Sequence, residues 1–130
     1  MKVLALDYGS ARTGVAVSDP TGTLARPLGV VERASSESGL AELARLVREE
    51  EVERVVVGLP LTLRGTRGEQ AAETERFVET LRGAVEVPVE LFDERFTTDL
   101  AQQTAGTAPE DALAAAHLLS SYLEWCAARS

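Results

Sequence analysis

Val3-Leu4-Ala5-Leu6-Asp7-Tyr8-Gly9-Ser10-Ala11-Arg12-Thr13-Gly14-Val15-Ala16-Val17-Ser18-Asp19 is the stretch whose reading decides the fold of this chain. An apolar run rich in strand formers ends on a single acid, Asp7. A short turn bracketed by Gly9 and Gly14 follows, and Val15-Ala16-Val17 resumes the apolar run. Two strand-forming runs around a glycine-containing turn predict an antiparallel hairpin. The acid then stands at the inner end of a buried strand, beside a loop whose glycines permit close backbone approach. A carboxylate in that position is costly unless something cationic or a hydrogen-bond donor meets it, so a metal or a hydrogen-bonded partner is expected. The bland reading is that Asp7 caps the turn through its own backbone, and the hairpin alone does not separate the two.

Outward from the hairpin, Leu24 to Val31 reads as a third strand, with Pro27 marking an edge or an irregular start. Ser35 and Ser36 can cap a helix whose apolar positions Leu40, Leu43, Leu46 and Val47 keep helical spacing. Val55-Val56-Val57 is a short, fully apolar strand of the kind buried on both faces, stopped by Gly58-Leu59-Pro60. A loop through Gly65 and Gly68 leads to a second helix with Ala71, Ala72, Phe77, Val78 and Leu81 inward. Val87 to Phe92 is a fifth strand, and Asp93-Glu94-Arg95 stands at its end. A short helical piece is expected over 98–104, and Pro109 opens a last helix running to about Ala127. The order β-β-β-α-β-α-β-α-α predicts an α/β fold, a five-stranded mixed sheet with helices on both faces, in a single domain over residues 1–130.

Composition narrows the class. Hydrophobic residues make 45% of the chain and charged ones 26%, a globular balance. No apolar run approaches the ~20 residues of a membrane span, and no signal-peptide pattern precedes the first strand, so a cytoplasmic protein without a membrane partner is expected. The single cysteine, Cys126, excludes an internal disulfide and a cysteine zinc site. A net charge of −8 opposes general attraction to polyanions. Acids, however, concentrate in the two predicted helical segments, whereas Arg12, Arg26, Arg64 and Arg67 fall in turns and loops. No Lys or Arg occurs between Phe96 and Ala128. A polyanion would have to be met by a local arginine patch.

Three acids occupy element ends: Asp7 after the first strand, Glu94 after the fifth, and Asp111 in the first turns of the final helix. The small residues Ala112, Ala114, Ala115 and Ala116 would let that helix lie close to the sheet and carry Asp111 toward the strand ends. Each acid has a purely structural reading: turn capping for Asp7, pairing with Arg95 for Glu94, and the helix dipole for Asp111. One sheet that gathers all three favours a shared role, metal-assisted phosphodiester hydrolysis. Mg²⁺ or Mn²⁺ takes oxygen ligands and keeps several waters, so a few carboxylates suffice. His117, two turns along the last helix, reads as packed or solvated rather than as a base.

The motifs carry a resemblance. Asp7-Tyr8-Gly9 through Gly14-Val15-Ala16, Val57-Gly58-Leu59-Pro60-Leu61 with Gly65-Thr66, Asp93-Glu94-Arg95-Phe96-Thr97-Thr98, and Asp111 through Ala115 with Ser121-Tyr122-Leu123 are together similar to the YqgF/RuvX family. Members of that family are regarded as candidate pre-16S rRNA nucleases, earlier as candidate Holliday junction resolvases, with a ribonuclease H-like fold. The resemblance implies that Asp7, Glu94 and Asp111 are the catalytic and metal-binding acids. It also implies Mg²⁺ or Mn²⁺ as cofactor and structured nucleic acid as partner. Precursor 16S rRNA at its 5′ end is the expected substrate, with branched DNA as the alternative, and a weak homodimer is a further expectation. Substrate contacts are expected from Arg12, Arg26, Arg64, Arg67 and Arg95. The segment from Arg95 to Asp111 is shorter than is usual in the family and lacks the basic cluster common there. Two other classes stay open. Asp-x-Gly-x-x-x-x-Gly at a hairpin also occurs in the actin, Hsp70 and sugar-kinase superfamily, which binds ATP between two domains where this chain provides one. A non-catalytic binding module on the same fold is the other.

Overall fold

The architecture is that of a computed structural model, which describes residues 1–61, 68–94 and 109–129. Arg64, Arg67, Arg95, the Gly65-Thr66 loop and the short helix expected over 98–104 lie outside the described residues. Five strands form one sheet in the order β3-β2-β1-β4-β5, where β1 is Val3–Asp7, β2 Arg12–Ser18, β3 Ala25–Glu32, β4 Arg54–Leu59 and β5 Val89–Asp93. The first two are the arms of the expected hairpin, antiparallel, with Asp7 opposite Gly14. β3 continues the antiparallel meander, and β4 and β5 extend the other side in parallel. Three helices complete the described chain: α1 (Glu37–Glu49), α2 (Glu69–Arg82) and α3 (Glu110–Ala128).

Element ends differ from expectation where proline intervenes. β3 is an edge strand that steps from Gly29 opposite Val15 to Pro27 opposite Ala16, so a bulge absorbs the imino acid. β5 begins at Val89 rather than Val87, because Pro88 has no N–H for a ladder. Its carbonyl still accepts from the Val55 N–H at 2.9 Å. α1 starts as the sequence predicts: the Ser36 hydroxyl accepts from the Gly39 N–H at 3.1 Å.

The strands alternate between two cores. Leu4, Leu6, Val15, Val17, Val55 and Val57 pack on one face against Leu43 and Val47 of α1 and Phe77, Val78 and Leu81 of α2. Val3, Ala5, Ala16 and Val56 face α3 through Ala115, Leu118, Leu119 and Tyr122. Small residues on this second face let the helix sit on the strands. A Cβ at Gly14 would lie 1.8 Å from the Asp111 carbonyl oxygen, so only glycine admits the start of α3 here. Toward the other end of α3, the buried Tyr122 hydroxyl donates to Glu90 at 2.9 Å and accepts from Arg54 at 2.8 Å. Phe92 meets the Tyr122 ring edge-on at 5.4 Å. α3 is thereby anchored to β4 and β5 at one end and to β2 at the other. Among the described residues no helix is long and apolar enough to cross a membrane.

Candidate active site

Asp7 closes β1 and, by strand alternation, belongs to the face shared by Val3 and Ala5, the one covered by α3. Glu94 directly follows β5. Its side chain lies over Gly58 of β4, where a Cβ would come within 2.5 Å of the Glu94 Oε1. Asp111 begins α3 above Gly14, the residue opposite Asp7 in the ladder. The three acids therefore meet at the end of one sheet face, each brought there by a different element.

The turn that presents Asp7 is held from two sides. Tyr8 stacks on Phe77 of α2 with ring centres 4.3 Å apart. The buried Thr13 hydroxyl lies 3.4 Å from both the N–H and the carbonyl of Gly9. At Gly9 itself a Cβ would approach the Arg12 carbonyl to 2.5 Å, so the turn closes only around glycine.

Asp7 and Glu94 are hydrogen-bonded to each other. Two carboxyl groups bond in this way only by sharing a proton. Burial, reinforced by the charge of Asp7, pushes the Glu94 carboxyl up from 4.5 to about 7. Burial also raises Asp7; its bond to Glu94 works against that rise and the charge of Asp111 adds to it. Asp111 faces a different neighbour, the Arg12 guanidinium, with Nε–Oδ2 at 3.3 Å. Both partners are well exposed, so the pair is worth less than about 1 kcal/mol and is easily exchanged. Among the described residues no three acid, histidine or cysteine side chains converge closely enough to hold one ion together. Two acids share a proton and the third leans on an arginine.

Of the arginines expected to contact substrate, Arg12 is at the site. Arg26 is not brought to it: it stands at the opposite end of the sheet, 3.9 Å from Glu50, whose carboxylate also receives Lys2 at 3.3 Å. His117 is half-buried on α3, two turns past Asp111. Gly58 is a site residue that the sequence reading treats only as a strand stop. The signal available for it is a glycine closing a buried strand whose neighbour ends on an acid, since the acid needs room to lie across.

Comparison with known proteins places the chain as a whole. The family model described as RuvX, Holliday junction resolvase, matches residues 1–125. A Chloroflexus aurantiacus protein named as a candidate pre-16S rRNA nuclease is 45% identical over 131 residues, covering 94% of this chain and 86% of the relative. One from Anaeromyxobacter with the same name is 48% identical over 98 residues, covering 75% and 72%. Thermus thermophilus RuvC in complex with a Holliday junction substrate superposes with a TM-score of 0.71 at 16% identity, covering 100% of this chain and 97% of that one. The fowlpox virus Holliday junction resolvase gives a TM-score of 0.57 at 14% identity, covering 96% and 99%. At those identities the structural likeness is one of fold, and the fold is ribonuclease H-like. With a family model matched over nearly its whole length and relatives above 40% identity, the chain belongs to the RuvX family.

Proposed function

We propose that the protein is a metal-dependent endonuclease that hydrolyses phosphodiester bonds in structured nucleic acid. The 5′ end of precursor 16S rRNA is its first candidate substrate, in keeping with the name its relatives carry. The observation that carries this reading is the placement of Asp7 beside Glu94, with Asp111 across Gly14, on the same face of the sheet.

The donor set fits Mg²⁺ or Mn²⁺, which prefer oxygen ligands and are held by one or two carboxylates alongside waters and substrate phosphate. Asp7 and Glu94 would hold one such ion as a pair once their shared proton has left. Asp111 is free to join when Arg12 is drawn elsewhere, because α3 is fixed by its backbone on Gly14 and only the side chain need turn. When bound, such ions activate a water and stabilise the departing oxygen. The chain's own contribution is positional. The Tyr8–Phe77 stack and the Gly9 turn fix Asp7, and Gly58 seats Glu94. Arg12, released from Asp111, offers a guanidinium to a phosphate beside the acids.

The family description favours a second substrate, the four-way DNA junction. Cleavage of a labelled precursor 16S rRNA fragment and of a four-way DNA junction, each with Mn²⁺ and with EDTA, tests both. The proposal expects Mn²⁺-dependent cleavage with the RNA preferred. Cleavage of the junction alone would reassign the substrate, and cleavage of neither would remove the nuclease reading.

A further inference from the structure

The geometry points to Arg33 as a second phosphate-contacting residue of the site, one that positions the nucleic-acid backbone beside the acids. The inference rests on the nuclease reading and extends it to how the strand is held. Arg33 follows β3 at the same end of the sheet as Asp7. The ladder runs from Asp7 to Gly14 on β2 and on to Val30 on β3, three residues before Arg33. Strand and residue spacing then put the Arg33 backbone about 14 Å from Asp7, within reach of a phosphate neighbouring the one at the acids.

Two observations single this residue out. Its backbone is left-handed, with φ of +47°, a conformation unfavourable for a side chain as bulky as arginine. The surroundings enforce it. The Arg33 N–H donates to the Ala11 carbonyl at 3.0 Å, tying it to the turn that follows Asp7. Its own carbonyl accepts from the Ser36 N–H at 2.9 Å and from the Ser36 hydroxyl at 2.6 Å. That carbonyl also crowds Gly39, where a Cβ would come within 2.1 Å. Glu51 has a comparable φ of +54°, but it ends α1, where such a residue is an ordinary terminator. Arg33 ends no helix.

The second observation is charge. Among the described arginines, Arg12, Arg26, Arg45, Arg54 and Arg82 each have an acidic partner, and Arg129 lies over Trp125. Arg33 is exposed and has no acidic partner among the described residues. Arg48 and Arg76 share that condition, but they sit in the last turn of α1 and the middle of α2. At the acid-bearing end Arg33 thus carries an exposed guanidinium on a fixed backbone, without an acidic partner among the described residues, in a protein of net charge −8. A phosphodiester backbone is the ligand that such a group recognises.

The test is binding of a fluorescein-labelled precursor 16S rRNA fragment in EDTA, followed by anisotropy over a salt series, for wild type, Arg33→Gly and Arg33→Lys. Glycine accepts the left-handed backbone without strain, so Arg33→Gly keeps or raises the melting temperature while deleting the charge. The expected result is a several-fold loss of affinity and a salt slope shallower by about one phosphate contact. Arg33→Lys, with its charge kept, retains the slope. Arg33→Gly with wild-type affinity and slope overturns the inference while leaving the nuclease reading intact. Wild-type protein that neither binds nor cleaves the RNA overturns both.

Discussion

At Glu94, burial and the charge of Asp7 raise the carboxyl from 4.5 to about 7, and the stability consequence has a definite sign. A carboxyl that holds its proton more tightly when folded stabilises the fold fully below 4.5 and loses that contribution as the pH rises through 7. Asp19 acts oppositely. The Thr21 hydroxyl and the backbone N–H groups of Leu24 and Thr23 hold it below its ordinary 3.8, so its contribution is lost only on acidification. The window between 4.5 and 7 therefore reports the acid pair. Glu94→Gln keeps the bond to Asp7 and removes the titration. In EDTA its stability relative to wild type should increase across that window by on the order of 1–2 kcal/mol, discounted for partial solvent exposure. A stability difference between variant and wild type that is the same at pH 5 and at pH 8 would contradict the shared proton. The placement of Asp7, Glu94 and Asp111 at one end of the sheet was legible in the sequence because each is an acid at an element end. Their partners were not. That Glu94 lies over Gly58, or that Asp111 turns to Arg12, depends on strand order and side-chain direction, which spacing along the chain does not encode.

Among the elements, α3 decides whether the acids meet. Its start rests on Gly14 so closely that an added methyl would strike a backbone oxygen, which cannot rotate away. Gly14→Ala should cost about 3 kcal/mol in denaturant melts and should also lower cleavage, because α3 must shift and take Asp111 with it. A neutral substitution would mean that the helix does not sit on β2. Tyr122→Phe is the complementary case. It removes a hydroxyl bonded to Arg54 and Glu90, which remain 3.3 Å apart. A loss of about 1–2 kcal/mol with cleavage unchanged is expected, since this network anchors α3 away from the acids. The alanines after Asp111 announced the close approach of this helix. The β3 bulge at Pro27 and the late start of β5 after Pro88 were less legible, because proline signals an interruption without saying which neighbour absorbs it.

For the whole molecule, the order of elements was readable because each boundary carries its own chemistry: glycines at the hairpin, serine at the start of α1, proline before α3. Such local signals do not fix which strands become neighbours. The central place of β1, between β2 and β4, follows from packing both of its faces. That placement sets one strand-terminal acid between the other two acids of the candidate site. Among the described residues few cations stand at the acid-bearing end of this acidic protein, so intrinsic affinity for nucleic acid should be weak, with a shallow salt slope. The central claim is that Asp7 is a metal ligand in phosphodiester hydrolysis rather than a turn cap. Its most direct test is single-turnover cleavage of a labelled precursor 16S rRNA fragment with Mn²⁺, comparing wild type with Asp7→Asn. Asparagine keeps the shape and relieves the repulsion among the acids, so the variant should melt in EDTA at or above the wild-type temperature. The account predicts that this well-folded variant cleaves more than about 100-fold more slowly, as loss of a charged ligand requires. An Asp7→Asn protein that cleaves at the wild-type rate would contradict it.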